Sequence, residues 1–213
     1  MAGPSVADPS ELLPPYEGIR LADVRIVRTS AEAAAALAAL SQADVIGFDT
    51  ESKPTFAKGE VSTGPHLVQL ATDELAYLFQ IGSAASAQTA LEVLKPVLES
   101  DTILKVGFGL GDDLKRLRSK LGIEARKVLD LATAMRRRGE RNTLGAKTAV
   151  ARFFGRRLQK SRRITTTNWA MAQLSEKQVL YAADDAHVAL RLYRHWLANP
   201  PLDDPGPPPR RAS

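Results

Sequence analysis

Strand-length apolar runs alternate with helix-length segments through the middle of this 213-residue chain, and that alternation confines it to an α/β architecture. DVRIVRT (23–29) reads as a first strand, and Ser30 as the cap of an alanine-rich helix. VIGFDTE (45–51) reads as a second strand, followed by a polar, glycine-containing loop from Ser52 to Pro65. HLVQLAT and LAYLFQIG, separated by TDE, form a hairpin pattern. A helix is expected from about Ala87 to Glu99, then a buried strand in TILKVGF, then a helix in GDDLKRLRSKLG that ends at Gly122. From Leu129 onward the pattern is mostly helical, and LSEKQVLYAADDAHVALRLYRHWLA is a long helix capped by Ser175. The order predicts a mixed sheet with a central hairpin, a parallel crossover strand and a helical C-terminal third.

The second strand ends unusually. Side chains alternate along a strand, so Asp49 and Glu51 emerge on the same face. Two adjacent carboxylates repel, and each costs several kcal/mol to desolvate unless something compensates. Either that strand end is open to water or a cation lies between them. Two further acidic sites adjoin strong structure. Asp112 and Asp113 follow the strand ILKVGF, and Asp184 and Asp185 lie inside the last helix, where Tyr181 shares a face with Asp185. Singly, a helix cap, solvated charges and a core tyrosine account for these residues. Together they can meet, because functional groups gather at strand ends and adjoining loops. Several carboxylates without histidine or cysteine ligands make a hard-cation site, for Mg²⁺ or Mn²⁺. Paired ions of this kind serve phosphodiester hydrolysis.

Charge supports a polyanionic partner. Eleven lysines and arginines and one acid, Glu140, lie between Arg136 and Arg163, so that segment carries +10 and leaves −5 on the rest of a chain whose total is +5. A small-molecule phosphodiesterase needs no such track. The chain has no cysteine, which excludes disulfides, thiolate zinc sites and a cysteine nucleophile. No apolar run approaches the ~20 residues that span a bilayer, and the N-terminus lacks a signal-peptide pattern. The expectation is a cytoplasmic protein without a membrane partner. His66, His187 and His195 are scattered and read as structural. Gly107, Gly109 and Gly111 do not form a dinucleotide fingerprint, which argues against a nucleotide cofactor.

These motifs resemble the 3′–5′ exonucleases of the DEDD type, in the tyrosine subgroup, near the Werner syndrome exonuclease domain and ribonuclease D. GFDTES, with Pro54, Gly59, LVQL and YLF after it, resembles the first motif. VGFGLGDDLKRL resembles the second, whose spacing selects Asp113 with Leu117. LYAADDAHVAL resembles the third and selects Tyr181 and Asp185, with NTLG and TNWAMAQLSEKQ upstream as shared flanking text. The similarity covers about residues 23–197. It implies a ribonuclease H-like fold: a mixed central sheet flanked by helices. It implies that Asp49, Glu51, Asp113 and Asp185 hold two metal ions, Asp49 bridging both, and that Tyr181 orients the attacking water. The histidine subgroup has its histidine where this chain has Leu180. The implied activity is release of 5′-mononucleotides from 3′ ends of DNA or RNA. A catalytically silent binding module of the same fold, or an RNA-processing ribonuclease D-like enzyme, are the alternatives.

Lys160, Arg162 and Arg163, in QKSRRITTTNW, are candidate phosphate contacts. Trp169, beside Asn168, is read first as packing and second as a surface on which a base stacks. Phe56 and Lys58 sit where the first motif's loop could approach nucleic acid. Residues 1–22 and the proline-rich 200–213 read as tails, the second disordered, around an exonuclease domain at 23–199.

Overall fold

A computed structural model of the chain describes residues 12–55, 62–137 and 139–200, the Arg162 side chain excepted. Phe56, Lys58 and the tail residues 1–11 and 201–213 lie outside the described residues. Six strands form one mixed sheet: β1 (Val24–Val27), β2 (Val45–Glu51), β3 (Leu67–Ala71), β4 (Ala76–Gln80), β5 (Leu104–Gly107) and β6 (Val128–Asp130). Their spatial order is β1-β4-β3-β2-β5-β6. The β2–β3 and β3–β4 pairs are antiparallel; β1–β4, β2–β5 and β5–β6 are parallel. The expected hairpin and crossover are both present. β6 was not anticipated, because three residues carry no readable period.

Helices cover both faces. On one side α1 (Ser30–Ser41) and α2 (Ala84–Leu98) pack against Ile46, Phe48, Val68, Leu70 and Phe79. Thr29, not Ser30, caps α1: its hydroxyl accepts from the Glu32 N–H while Glu32 accepts from the Thr29 N–H. The cap moves one residue because Glu32 stands three positions after Thr29 and completes the reciprocal pair. α2 starts at Ala84, earlier than expected, since Ser83 and Ser86 form another such box. The short α3 (Gly111–Arg116) runs into a π-helical turn, Leu117–Leu121, stopped by left-handed Gly122. Next come α4 (Leu131–Ala134), α5 (Ala146–Phe154) and α6 (Arg162–Thr165).

The other face belongs to α7 (Glu176–Ala198), which crosses β2, β3, β4 and β5. Ser175 caps it as expected, with Gln178 completing the box. Ala182, Ala183, Ala186 and Ala189 form its inner surface, all buried. Small side chains let the helix approach closely, and the strand answers with Gly47. A Cβ on Gly47 would meet the Ala186 carbonyl oxygen at 1.9 Å. No helix among the described residues is long and apolar enough to cross a membrane.

Part of the segment expected as an N-terminal tail packs on the domain. Residues 14–19 lie on the domain, with Pro15 bridged to Arg157 and the Tyr16 ring stacked 5.9 Å from Phe154. Arg191 donates to the Tyr16 hydroxyl and the Glu17 carbonyl. Buried Ile19 donates its N–H to Asp184 at 3.2 Å. Prolines mask this in the sequence, because the contacts are made with distant α5 and α7.

Gly47→Ala is expected to destabilise the fold by about 3 kcal/mol or more, the upper range for overpacking, since a backbone atom opposes the new methyl. Chemical denaturation of the variant beside the parent measures this.

Candidate active site

Three elements deliver the acidic side chains to one end of the sheet. β2 supplies Asp49 and Glu51 on the face that α7 covers, and α7 supplies Asp185. One ligand atom from each of the three lies within 4.8 Å of the others. Asp113, in the first turn of α3, stands beside this trio but outside it. Its Oδ1 accepts from the Thr50 hydroxyl, and Arg116 lies 3.6 Å away. Its neighbour Asp112 points away, exposed and paired with Lys115 at 3.1 Å. Of the two acids at that turn, Asp113 is therefore the one that faces the site.

Two supporting residues have no signature of their own in the sequence. Thr50 holds Asp113 through a buried hydroxyl. Asp130, at the end of β6, accepts from the N–H groups of Gly109, Leu110 and Ala132. It thereby fixes the loop that launches α3 and aims Asp113. Both act across long chain separations, and only a chain-distant contact identifies them.

The crowding of acids shows in their protonation. Burial and the charges of Asp185 and Asp113 push Asp49 well above the ordinary carboxylate value. Glu51 is pushed up to about 9, by burial first and then by Asp49 and Asp185. Burial raises Asp185, while Lys160 and a hydrogen bond from the Tyr181 hydroxyl pull it back. Burial also raises Asp113, against the Thr50 bond and the Arg116 charge.

A cation already stands among these acids. Lys160 Nζ lies 2.6 Å from Asp185 Oδ1 and 5.6 Å from the Tyr181 ring centroid. Burial works against its charge, but Asp185 and Asp49 outweigh burial and raise it above the ordinary lysine value. Three converging carboxylates, one of which holds an ammonium at 2.6 Å, offer the charge and hardness a divalent cation requires. The residues present fit such an ion.

Tyr181 reaches the site from one turn before Asp185 and is held at 2.8 Å from the Thr165 hydroxyl. Burial and the Asp185 charge push its phenol up to about 12. It therefore stays protonated at neutral pH, which suits a hydrogen-bonding group and not a base.

The expected nucleic-acid contacts fare unevenly. Trp169 is 1% exposed, its indole N–H donates to the Thr165 carbonyl at 3.3 Å, and its ring lies 6.0 Å from that of Tyr181. It packs against Tyr181, as the first reading has it, and offers no face for a base to stack on. Asn168 is exposed and closes a turn by accepting from the Ala170 N–H. Lys160 faces the acids, not an open surface, because the cluster's negative charge holds it. Arg163 is exposed, and the Arg162 side chain lies outside the described residues.

The sequence profile of the 3′–5′ exonuclease family matches residues 24–198. The chain is 30% identical over 156 residues to the mouse bifunctional 3′-5′ exonuclease/ATP-dependent helicase WRN, covering 73% of this chain and 11% of that protein. It is 29% identical over 154 residues to a 3′-5′ exonuclease of Arabidopsis thaliana, covering 70% of this chain and 51% of the other. It thus spans about half or less of these relatives' length. Among solved structures, the Aedes aegypti Nibbler EXO domain is similar, with a TM-score of 0.69, 25% identity, and 83% and 88% of the two chains covered. Trypanosoma brucei RNase D in complex with RNA U12 shares the fold, with a TM-score of 0.73 at 22% identity over 83% and 63% of the chains. The sheet and its helices are those of the ribonuclease H-like fold.

Asp184, beside the trio on α7, gives a pH test. Burial raises its pKa from 3.8 to about 6. A group raised in the folded state leaves stability intact below its unfolded value and erodes it as pH climbs through the folded one. Asp184→Asn keeps an oxygen for the Ile19 N–H and cannot ionise. In EDTA it is expected to exceed the parent's stability increasingly from pH 4 to 7, by up to about 3 kcal/mol, in denaturant titrations at each pH.

Proposed function

We propose, from the premise that this chain belongs to the family of 3′–5′ exonuclease domains, that it hydrolyses phosphodiester bonds at nucleic-acid 3′ ends with two divalent cations, Mg²⁺ or Mn²⁺. The observation that carries this reading is the convergence of Asp49, Glu51 and Asp185 within 4.8 Å, with the Lys160 ammonium paired to Asp185. Asp49, Glu51, Asp185 and Asp113 would hold the ions. When bound, such ions supply positive charge to the attacking and leaving oxygens of the displacement.

The chain's own residues do the rest. The Tyr181 hydroxyl, one turn before Asp185 and 2.8 Å from the Thr165 hydroxyl, would orient the attacking water by hydrogen bonding. Thr165 and the buried Trp169 hold the phenol in place, so orientation costs little at the moment of reaction. The water oxygen bonds to phosphorus as the bond to the 3′ oxygen breaks. That oxygen takes a proton, and a nucleoside 5′-monophosphate leaves. Lys160, on the loop before α6 and paired with Asp185, would offer its ammonium to the phosphate. Exposed Arg163, and the basic run from Arg136 to which it belongs, supply counter-charge for the strand.

A 5′-labelled single-stranded DNA and the RNA of the same sequence test this, with Mg²⁺, Mn²⁺ or EDTA. A metal-dependent ladder shortening from the 3′ end is expected, abolished by Asp49→Ala and slowed about 10²-fold by Tyr181→Phe. Tight binding of both polymers without cleavage would instead make the chain a binding module. Metal affinity has its own pH signature. Glu51, pushed up to about 9, carries a proton at neutral pH, Asp49 is raised in the same direction, and metal ligation requires deprotonated carboxylates. Mn²⁺ binding is therefore expected to release protons at pH 7 and to tighten as pH rises from 6 to 9, by calorimetry in buffers of different ionisation enthalpy.

A further inference from the structure

Gln69 lies at the centre of β3, 0% exposed, and neither its Nε2 nor its Oε1 has a hydrogen-bond partner. A buried amide with two donors and an acceptor all unsatisfied is rare in folded proteins, and such groups have specific causes. The strand register supplies one. Gln69 stands directly opposite Asp49 in the β2–β3 pair, and opposite Leu78 in the β3–β4 pair. Directly opposed residues project on the same face with Cβ atoms about 4.5–5.5 Å apart. That face is the one α7 covers, since Leu67 and Ala71, two residues to either side, pack with Ala182, Ala183 and Ala186. Of the two cross-strand neighbours, Leu78 offers no polar atom and Asp49 offers a carboxylate. Asp49 itself has one oxygen engaged by the Thr50 N–H.

We infer that Gln69 is a positioning residue of the acidic site: its amide N–H reaches the Asp49 carboxylate by side-chain rotation and fixes it for the bound cation. The inference rests on the metal-dependent reading above. A donor behind a ligating carboxylate orients it, and loss of such donors weakens metal binding 10–100-fold. Packing does not require the amide here, because an apolar chain of the same length fills the same space. The protein carries a buried unsatisfied group that a methionine would remove.

The test uses Gln69→Met and Gln69→Leu, with Mn²⁺ titrated calorimetrically in the absence of nucleic acid. Thermal melts in EDTA accompany each titration. Both variants are expected to melt at or above the parent's temperature and to bind Mn²⁺ 10–100-fold more weakly. In the Asp49→Asn background, Gln69→Met is expected to change Mn²⁺ affinity less than twofold. Variants that bind Mn²⁺ within twofold of the parent overturn the inference and leave the metal site standing. Loss of the fold by both variants in EDTA overturns it too, by making the amide structural. A parent that binds no Mn²⁺ removes both readings at once.

Discussion

The close approach of α7 to β2 is the constraint on which the rest depends. Gly47 has no side chain, and the helix presents alanines there, so backbone nearly meets backbone. Glycine inside a strand costs about 0.5–1 kcal/mol, and buried alanines contribute less apolar area than leucines would. The molecule accepts both losses at the same place. In return Asp185 arrives within ligand distance of Asp49 and Glu51. Bulkier packing would hold the fold as well and separate the carboxylates. The site is thus a consequence of how thin the layer between helix and sheet is.

Bringing acids together creates the opposing problem. Burial and the charges of neighbouring acids push Asp49 and Glu51 toward their protonated forms, and burial pushes Asp185 the same way. The structure offsets this with fixed donors: the Thr50 N–H on Asp49, the Thr50 hydroxyl on Asp113 and the Lys160 ammonium on Asp185. Thr50 serves both acids because its backbone and side chain face different neighbours. A cluster held this way stays in place through its own hydrogen bonds while remaining short of positive charge. That combination suits a cation-dependent site better than a structural ion pair, which would be neutralised outright.

Support comes from remote parts of the chain. Asp130 organises the loop before α3, and Asp184 receives the N-terminal segment at Ile19. Trp169, buried behind Tyr181, turns a residue type associated with base stacking into a brace. Lys160, a candidate phosphate contact by sequence, is paired inward with Asp185. In each case the side chain goes where an unsatisfied partner or an apolar cluster lies, which its neighbours in sequence do not reveal.

Local pattern determined the element types, the hairpin, the Ser175 cap and the α/β class, because period, capping residues and apolar runs act within a few residues. The resemblance to the exonuclease motifs singled out Asp49, Glu51, Asp113, Tyr181 and Asp185, and the structure brings them to one end of the sheet, with Asp113 turned to Thr50. The sequence left open the short strand β6, the shift of the α1 cap to Thr29, the docking of residues 14–19 and the inward turn of Lys160. Tertiary structure decided those, and the roles of Thr50, Asp130 and Gln69 with them. Each depends on a partner far away in the chain, and a buried polar group's environment exists only once the sheet and α7 have closed around it.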